Sequence, residues 1–189
     1  AIWLTLGALA DLAQRLRPYG WQILRQPWRL PATAFSAPLA HAGLAIMIIG
    51  VIGASMWQSE TVVAAKAGET MEVAGRQLRF DGVREVEGPN YQAEQGQISY
   101  LSGPHKGKVL LPERRFYQAE RGQTTEAAIT SDISGHLYAV IGEAVAEKRV
   151  LRLWFHPLVA LIWIGALLMA LGGSFALRAR MSKSGQGAA

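Results

Sequence analysis

Two long stretches without a charged side chain constrain this chain more than any other feature. Between Arg29 and Glu60 lie 30 such residues, and between Arg152 and Arg178 another 25; His41 and His156 are the only ionisable side chains inside them. A hydrocarbon core about 30 Å thick needs roughly 20 helical residues. Leu39–Trp57 and Leu158–Leu177 both meet that requirement. Core helices of soluble proteins rarely run so far without charge, so two transmembrane helices are expected.

The flanks set an orientation. Arg15, Arg17, Arg25 and Arg29 precede the first span, Arg178, Arg180 and Lys183 follow the second, and no acidic residue lies among either group. The excess of positive charge places both flanks on the cytoplasmic side and the segment between the spans outside. That segment holds 12 basic and 13 acidic residues, while the flanks hold 7 basic residues and Asp11. The net charge of +5 and the isoelectric point near 9.8 therefore come from the membrane flanks. The basic balance is a topology signal, the expected surface partner is a lipid bilayer, and no nucleic-acid partner is expected. Absence of cysteine excludes a disulfide framework, zinc–cysteine and iron–sulfur sites, and a cysteine nucleophile within this chain.

The resulting organisation has six parts: residues 1–13 as the end of a truncated transmembrane helix, 14–32 as a cytoplasmic connection, 33–57 as a transmembrane helix, 58–153 as an outside β-domain, 154–177 as a second full span and 178–189 as a cytoplasmic tail. Ala1–Ala10 is uncharged but too short to span and lacks a basic leader, so the chain reads as a fragment of a longer protein. Trp57 and Trp154 bracket the outside domain where an aromatic belt would lie.

Within 58–153 the pattern changes to alternation. Arg76–Phe80, Gln97–Leu101 and Val150–Trp154 alternate polar and apolar side chains, the mark of strands with one buried face. Turn signals stand at Ala74-Gly75, Asp81-Gly82, Gly88-Pro89-Asn90, Ser102-Gly103-Pro104 and Arg121-Gly122. Lys106–Tyr117 reads as two short strands broken at Pro112. Six to eight strands are expected to close into a small β-barrel or sandwich of OB-like character, with one short helix at Thr125–Thr130.

Catalytic motifs are lacking: there is no glycine-rich phosphate loop, no HExxH and no Ser-His-Asp spacing. His105 and His136 read as solvated loop residues, and His156 as an interfacial polar side chain beside Trp154. His41 differs, because it lies five to eight residues inside the first span, roughly 8–12 Å at 1.5 Å per residue. Hydrocarbon penalises an imidazole unless it is paired or ligated. Three readings stay open for His41: a neutral side chain bonded to a neighbouring helix, a proton relay, and an axial haem ligand. Ala45 and Ile48 share its face, whereas Gly43 and Gly50 on another face suggest a close helix contact.

Several runs together carry a family resemblance. They are Leu39-Ala40-His41-Ala42-Gly43, Val83–Ala93, Pro112-Glu113-Arg114-Arg115-Phe116-Tyr117, Thr125–Ile129, Leu137–Glu143 and Gly165–Gly173. In that order they resemble the C-terminal part of the CcmF/NrfE haem lyase family of cytochrome c maturation. The resemblance implies a bacterial inner (cytoplasmic) membrane protein, multi-pass, with its β-domain in the periplasm. The family attaches haem to apocytochrome c through thioether bonds, receives haem from a periplasmic haem chaperone and works with other cytochrome c maturation membrane subunits. It also holds a b-type haem in the membrane, and His41 occupies the position of one axial haem iron ligand. The second ligand would lie upstream of this chain. Departures from the family pattern occur at Ala160 and Leu161, at His136, where an acid is common, and at His156, where Lys is common.

The expected fold is therefore a mixed membrane protein, with transmembrane α-helices flanking a small periplasmic all-β (barrel/OB-like) domain. The expected function is the C-terminal segment of a haem lyase with haem b as cofactor, the fragment alone being inactive. A non-enzymatic membrane anchor that displays a docking β-domain is the alternative. A proton or ion path through His41 has the least support, since neither span contains a membrane acid. Arg114 and Arg115 suit haem propionates or acidic partners, but equally internal salt bridges.

Overall fold

The computed structural model describes residues 2–17, 33–117 and 122–186. The part of the expected cytoplasmic connection at 18–32, and Arg121 of one expected turn, lie outside them. Contacts divide the chain into two compact units, Ala1–Gly53 with Leu158–Ala189, and Ala54–Pro157.

The first unit contains α1 (Ile2–Leu16) and α2, whose full extent is Thr33–Met56, together with α3 (Val159–Gln186). Phe35–Met56 and Val159–Arg178 are long and apolar enough to cross a membrane. The two helices run antiparallel, with glycines at the points of closest approach. A Cβ on Gly43 would lie 2.6 Å from the carbonyl oxygen of Gly165, one on Gly50 would lie 2.8 Å from Ile162 N, and one on Gly172 would lie 2.6 Å from Ser36 O. Small residues are what allow two backbones to approach this closely, so the contact expected at Gly43 and Gly50 is the seam of the pair. Large side chains point the other way: Leu167 is 65% exposed. A core helix of a soluble protein would bury such residues.

The second unit is a sandwich of two antiparallel sheets, with ten strands among the described residues. One sheet has the order β1-β10-β9-β8, built from β1 (Ser59–Ala65), β8 (Ala128–Asp132), β9 (Gly135–Val145) and β10 (Lys148–Pro157). The other runs β2-β3-β4-β6-β7, from β2 (Thr70–Val73), β3 (Arg76–Glu87), β4 (Tyr91–Tyr100), β6 (Glu113–Tyr117) and β7 (Gly122–Glu126); β5 (Val109–Leu110) pairs with β4. Alternation works as expected: Leu78, Phe80 and Ile98 from one sheet meet Leu137, Ile141, Leu151 and Leu153 from the other. Each large side chain fully buried in this way contributes about 1.5–3 kcal/mol.

First and last strands of this unit are neighbours, since Ser59 pairs with Phe155. The chain therefore enters from α2 and departs for α3 at one end of the sandwich.

Several expectations needed correction. Thr125–Thr130 is not a helix; its residues fall in β7 and β8, with exposed Ala127 linking the two strands. Six residues are too few to nucleate a helix unaided, and pairing of β7 with β6 and of β8 with β9 prevails. Asp81-Gly82 is not a turn but a bulge inside β3, where the register shifts and Gly82 takes φ +133°. Trp154 lies within β10, paired with Tyr138 and Glu60, and helix begins only at Val159. The break expected at Pro112 separates β5 from β6.

Candidate functional site

His41 lies eight residues into α2, about 12 Å along its axis at 1.5 Å per residue. At 100° per residue the glycine seam falls on the opposite side, and His41 is exposed. Of the two residues expected on its face, Ile48 is half-buried and Ala45 is buried. The imidazole thus sits beside apolar side chains, offering one lone pair when neutral. Among the described residues no group of three or more His, Cys, Asp or Glu could hold a metal ion. Any metal bound at His41 would need ligands from elsewhere.

The sandwich holds its charges in internal networks. Arg149 makes two contacts with Glu94, of 2.8 and 3.0 Å, bridging one sheet to the other. Arg114 reaches the same carboxylate at 3.7 Å and Glu143 at 3.2 Å. Arg115 donates to Glu113 at 2.8 Å, and its guanidinium lies 4.5 Å from the Tyr91 ring centroid. Burial opposes ionisation of Glu113, but hydrogen bonds from Arg115 and Gln95 hold its carboxyl below the usual range. Of the two readings for Arg114 and Arg115, internal salt bridges describe both.

A cavity of about 450 Å³ opens beside the β3–β4 hairpin, over Glu85, Glu87, Gln92 and Phe116. Its carboxylates would repel haem propionates, whereas a basic peptide segment would suit the same charge.

His105 and His136 depart from the expectation of solvated loop residues. His105 belongs to a turn, yet its side chain is only 20% exposed and its Nε2 lies 3.3 Å from Asp132 Oδ2, at an angle outside hydrogen-bond geometry. Its ring packs against Tyr100, with centroids 5.6 Å apart. Asp132 also accepts from the backbone N–H of Ser134 at 2.7 Å and from the Ser134 hydroxyl, and it lies 3.7 Å from Arg76. Burial raises the cost of its charge, but these donors and the Arg76 guanidinium hold its carboxyl below the ordinary range. Burial pushes the Tyr100 phenol up. His136 is in β9, directly opposite His156 on β10, and the Tyr138 ring lies 5.5 Å from that of His156. His156 Nδ1 also contacts the Ala54 carbonyl at 3.2 Å.

Sequence reasoning missed the Arg76–Asp132–His105 cluster, because its members come from three separate segments. The one local signal was Asp132 two residues before Ser134, a spacing that suits an Asx turn.

Residues 56–157 match a family model described as the CcmF C-terminal beta-sandwich. The chain belongs to the CcmF family. A relative from Rhizobium meliloti, the cytochrome c-type biogenesis protein CycK, is 38% identical over 97% of this chain and 28% of its own length. The Escherichia coli cytochrome c-type biogenesis protein CcmF is 33% identical over 94% of this chain and 26% of its own. A solved structure, cytochrome c heme lyase CcmF, shares the fold with a TM-score of 0.64 at 20% identity, covering 76% of this chain and 24% of that one. This chain spans little more than a quarter of the length of the CcmF and CycK relatives it matches.

Proposed function

We propose that this chain is the C-terminal segment of an inner-membrane haem lyase, one that helps attach haem to apocytochrome c. Phe35–Met56 and Val159–Arg178 form two of its spans, and the sandwich between them its periplasmic domain. Family membership, and relatives named for cytochrome c-type biogenesis, support the process.

The observation that carries the site is His41: a lone imidazole, exposed on an apolar helix, on the face opposite the glycine seam. A b-type haem fits these residues, because a porphyrin iron asks the protein only for axial ligands while an apolar wall accepts the macrocycle. His41 would hold the iron through a neutral ring nitrogen; a second ligand would come from upstream of this chain. Bound there, the haem would supply one-electron redox chemistry within the membrane, nearer the cytoplasmic end of α2 than its outer end. The protein's own part is to fix the imidazole on a helix that the seam keeps from rotating. The cysteine thiols belong to the cytochrome, which accords with a chain that has none.

Cells whose complete protein carries His41→Ala should lose most covalently haem-stained cytochrome c while the protein persists in the membrane. Normal cytochrome c levels would sink the assignment.

The acidic cavity favours a second, compatible role for the β-domain, the docking of a basic segment of a partner such as the apocytochrome or a haem chaperone. Removing residues 58–157 should then abolish attachment with b-haem retained.

A further inference from the structure

The two ends of the sandwich carry different turns. At the end where the chain arrives from α2 and leaves for α3, the β8–β9 tip is Ile133-Ser134, and Ile133 is 87% exposed. The register places this tip beside the exit, since Gly135 pairs with Pro157. Close packing fixes it there: a Cβ on Gly135 would lie 2.7 Å from Phe155 Cζ and 2.8 Å from Pro157 Cα. Trp57, at the entrance, is 63% exposed.

Side chains hold two further turns at the same end. Arg76, which follows the Ala74-Gly75 turn, donates to Ser134 Oγ at 2.6 Å. The 103–107 turn lies against the hairpin, with His105 Nε2 3.3 Å from Asp132 Oδ2, and it presents exposed Lys106. The opposite end has the tips Pro89-Asn90 and Ala146-Glu147, with Lys66 and Glu147 paired at 2.6 Å.

An exposed Ile, an exposed Trp and a Lys on short, braced turns have the composition of a membrane-interface anchor. We propose that this rim of the sandwich sits in the headgroup layer of the bilayer, with Ile133 and Trp57 at the acyl boundary and Lys106 among the phosphates. The partner is lipid because both candidate spans are continuous with this end of the domain. The proposal rests on the membrane-spanning reading above and adds a specific contact to it.

The chain's lack of cysteine gives a direct test. Three single-cysteine variants, Ile133→Cys, Val145→Cys and Val51→Cys, carry an environment-sensitive fluorophore and are reconstituted as the full chain in vesicles of phosphatidylethanolamine and phosphatidylglycerol. Ile133 and Val145 are surface residues of opposite ends, and Val51 is an exposed residue of α2. Lipid spin-labelled near the headgroup should quench the label at 133 at least about twofold more than the label at 145. Lipid labelled deep in the acyl chain should quench at 51. A label at 133 no more quenched than that at 145, with 51 still quenched, overturns the rim contact alone. A label at 133 shielded from aqueous iodide yet untouched by lipid assigns the rim to protein, and also overturns it. An unquenched label at 51 overturns the spanning reading itself.

Discussion

In the helical unit Gly43, Gly50, Gly165 and Gly172 face inward while Leu167 and Leu171 face outward, whereas in the sandwich leucines and isoleucines fill the centre and charges ring it. Leu153 and Ile141 are fully buried between sheets, while Leu167 and Leu171 on α3 stand exposed. The difference is what the proposed membrane setting asks of one chain in two solvents. Water drives the sandwich together by expelling apolar area. Between apolar helices in lipid that drive is absent, and close backbone contact through small residues takes its place.

Substitutions at the glycine seam should break this comparison most forcefully. Gly165→Leu drives a side chain into the Gly43 carbonyl and Met47. The detergent-solubilised protein should lose helical-unit protection from proteolysis while the sandwich remains resistant. Equal loss in both units would mean that they do not pack independently.

Leu153→Ala is the converse experiment, removing a fully buried side chain from the sandwich. It should cost about 2–5 kcal/mol, read by hydrogen exchange across β9 and β10, and leave α2 and α3 unaffected.

Asp132→Asn sharpens the polar half of the comparison. The carboxylate is held below the usual range in the folded state, so its stabilisation is complete above the unfolded value near about pH 4 and is lost as pH falls through the folded value. The variant should be less stable by about 1–3 kcal/mol at neutral pH. The gap should stay constant down to about pH 5 and close below about pH 4, as followed by chemical denaturation. Thr125→Ala on the exposed edge strand β7 should change stability by no more than about 0.5 kcal/mol.

How much of this was legible depended on whether a feature is local. Span length, the seam glycines and the position of His41 follow from helical period alone, so Gly43 and Gly50 stand out in the sequence itself. Strand alternation exposed the core for the same reason, period two being local. The β7–β8 segment was misread because Thr-Glu-Ala-Ala favours helix locally, while the pairing of Thr124 with Arg115 and of Ala128 with Ala139 is set by distant strands. His105 looked solvated because nothing near it in sequence announces Asp132. Asp81-Gly82 looked like a turn because bulges and turns draw on the same residues.

The central claim is that His41 ligates a membrane haem, and the absorption spectrum of the purified complete protein tests it most directly. His41→Ala should lower the b-haem Soret band and alter the reduced spectrum of what remains, with the sandwich still folded. An unchanged band with unchanged redox behaviour would contradict the account.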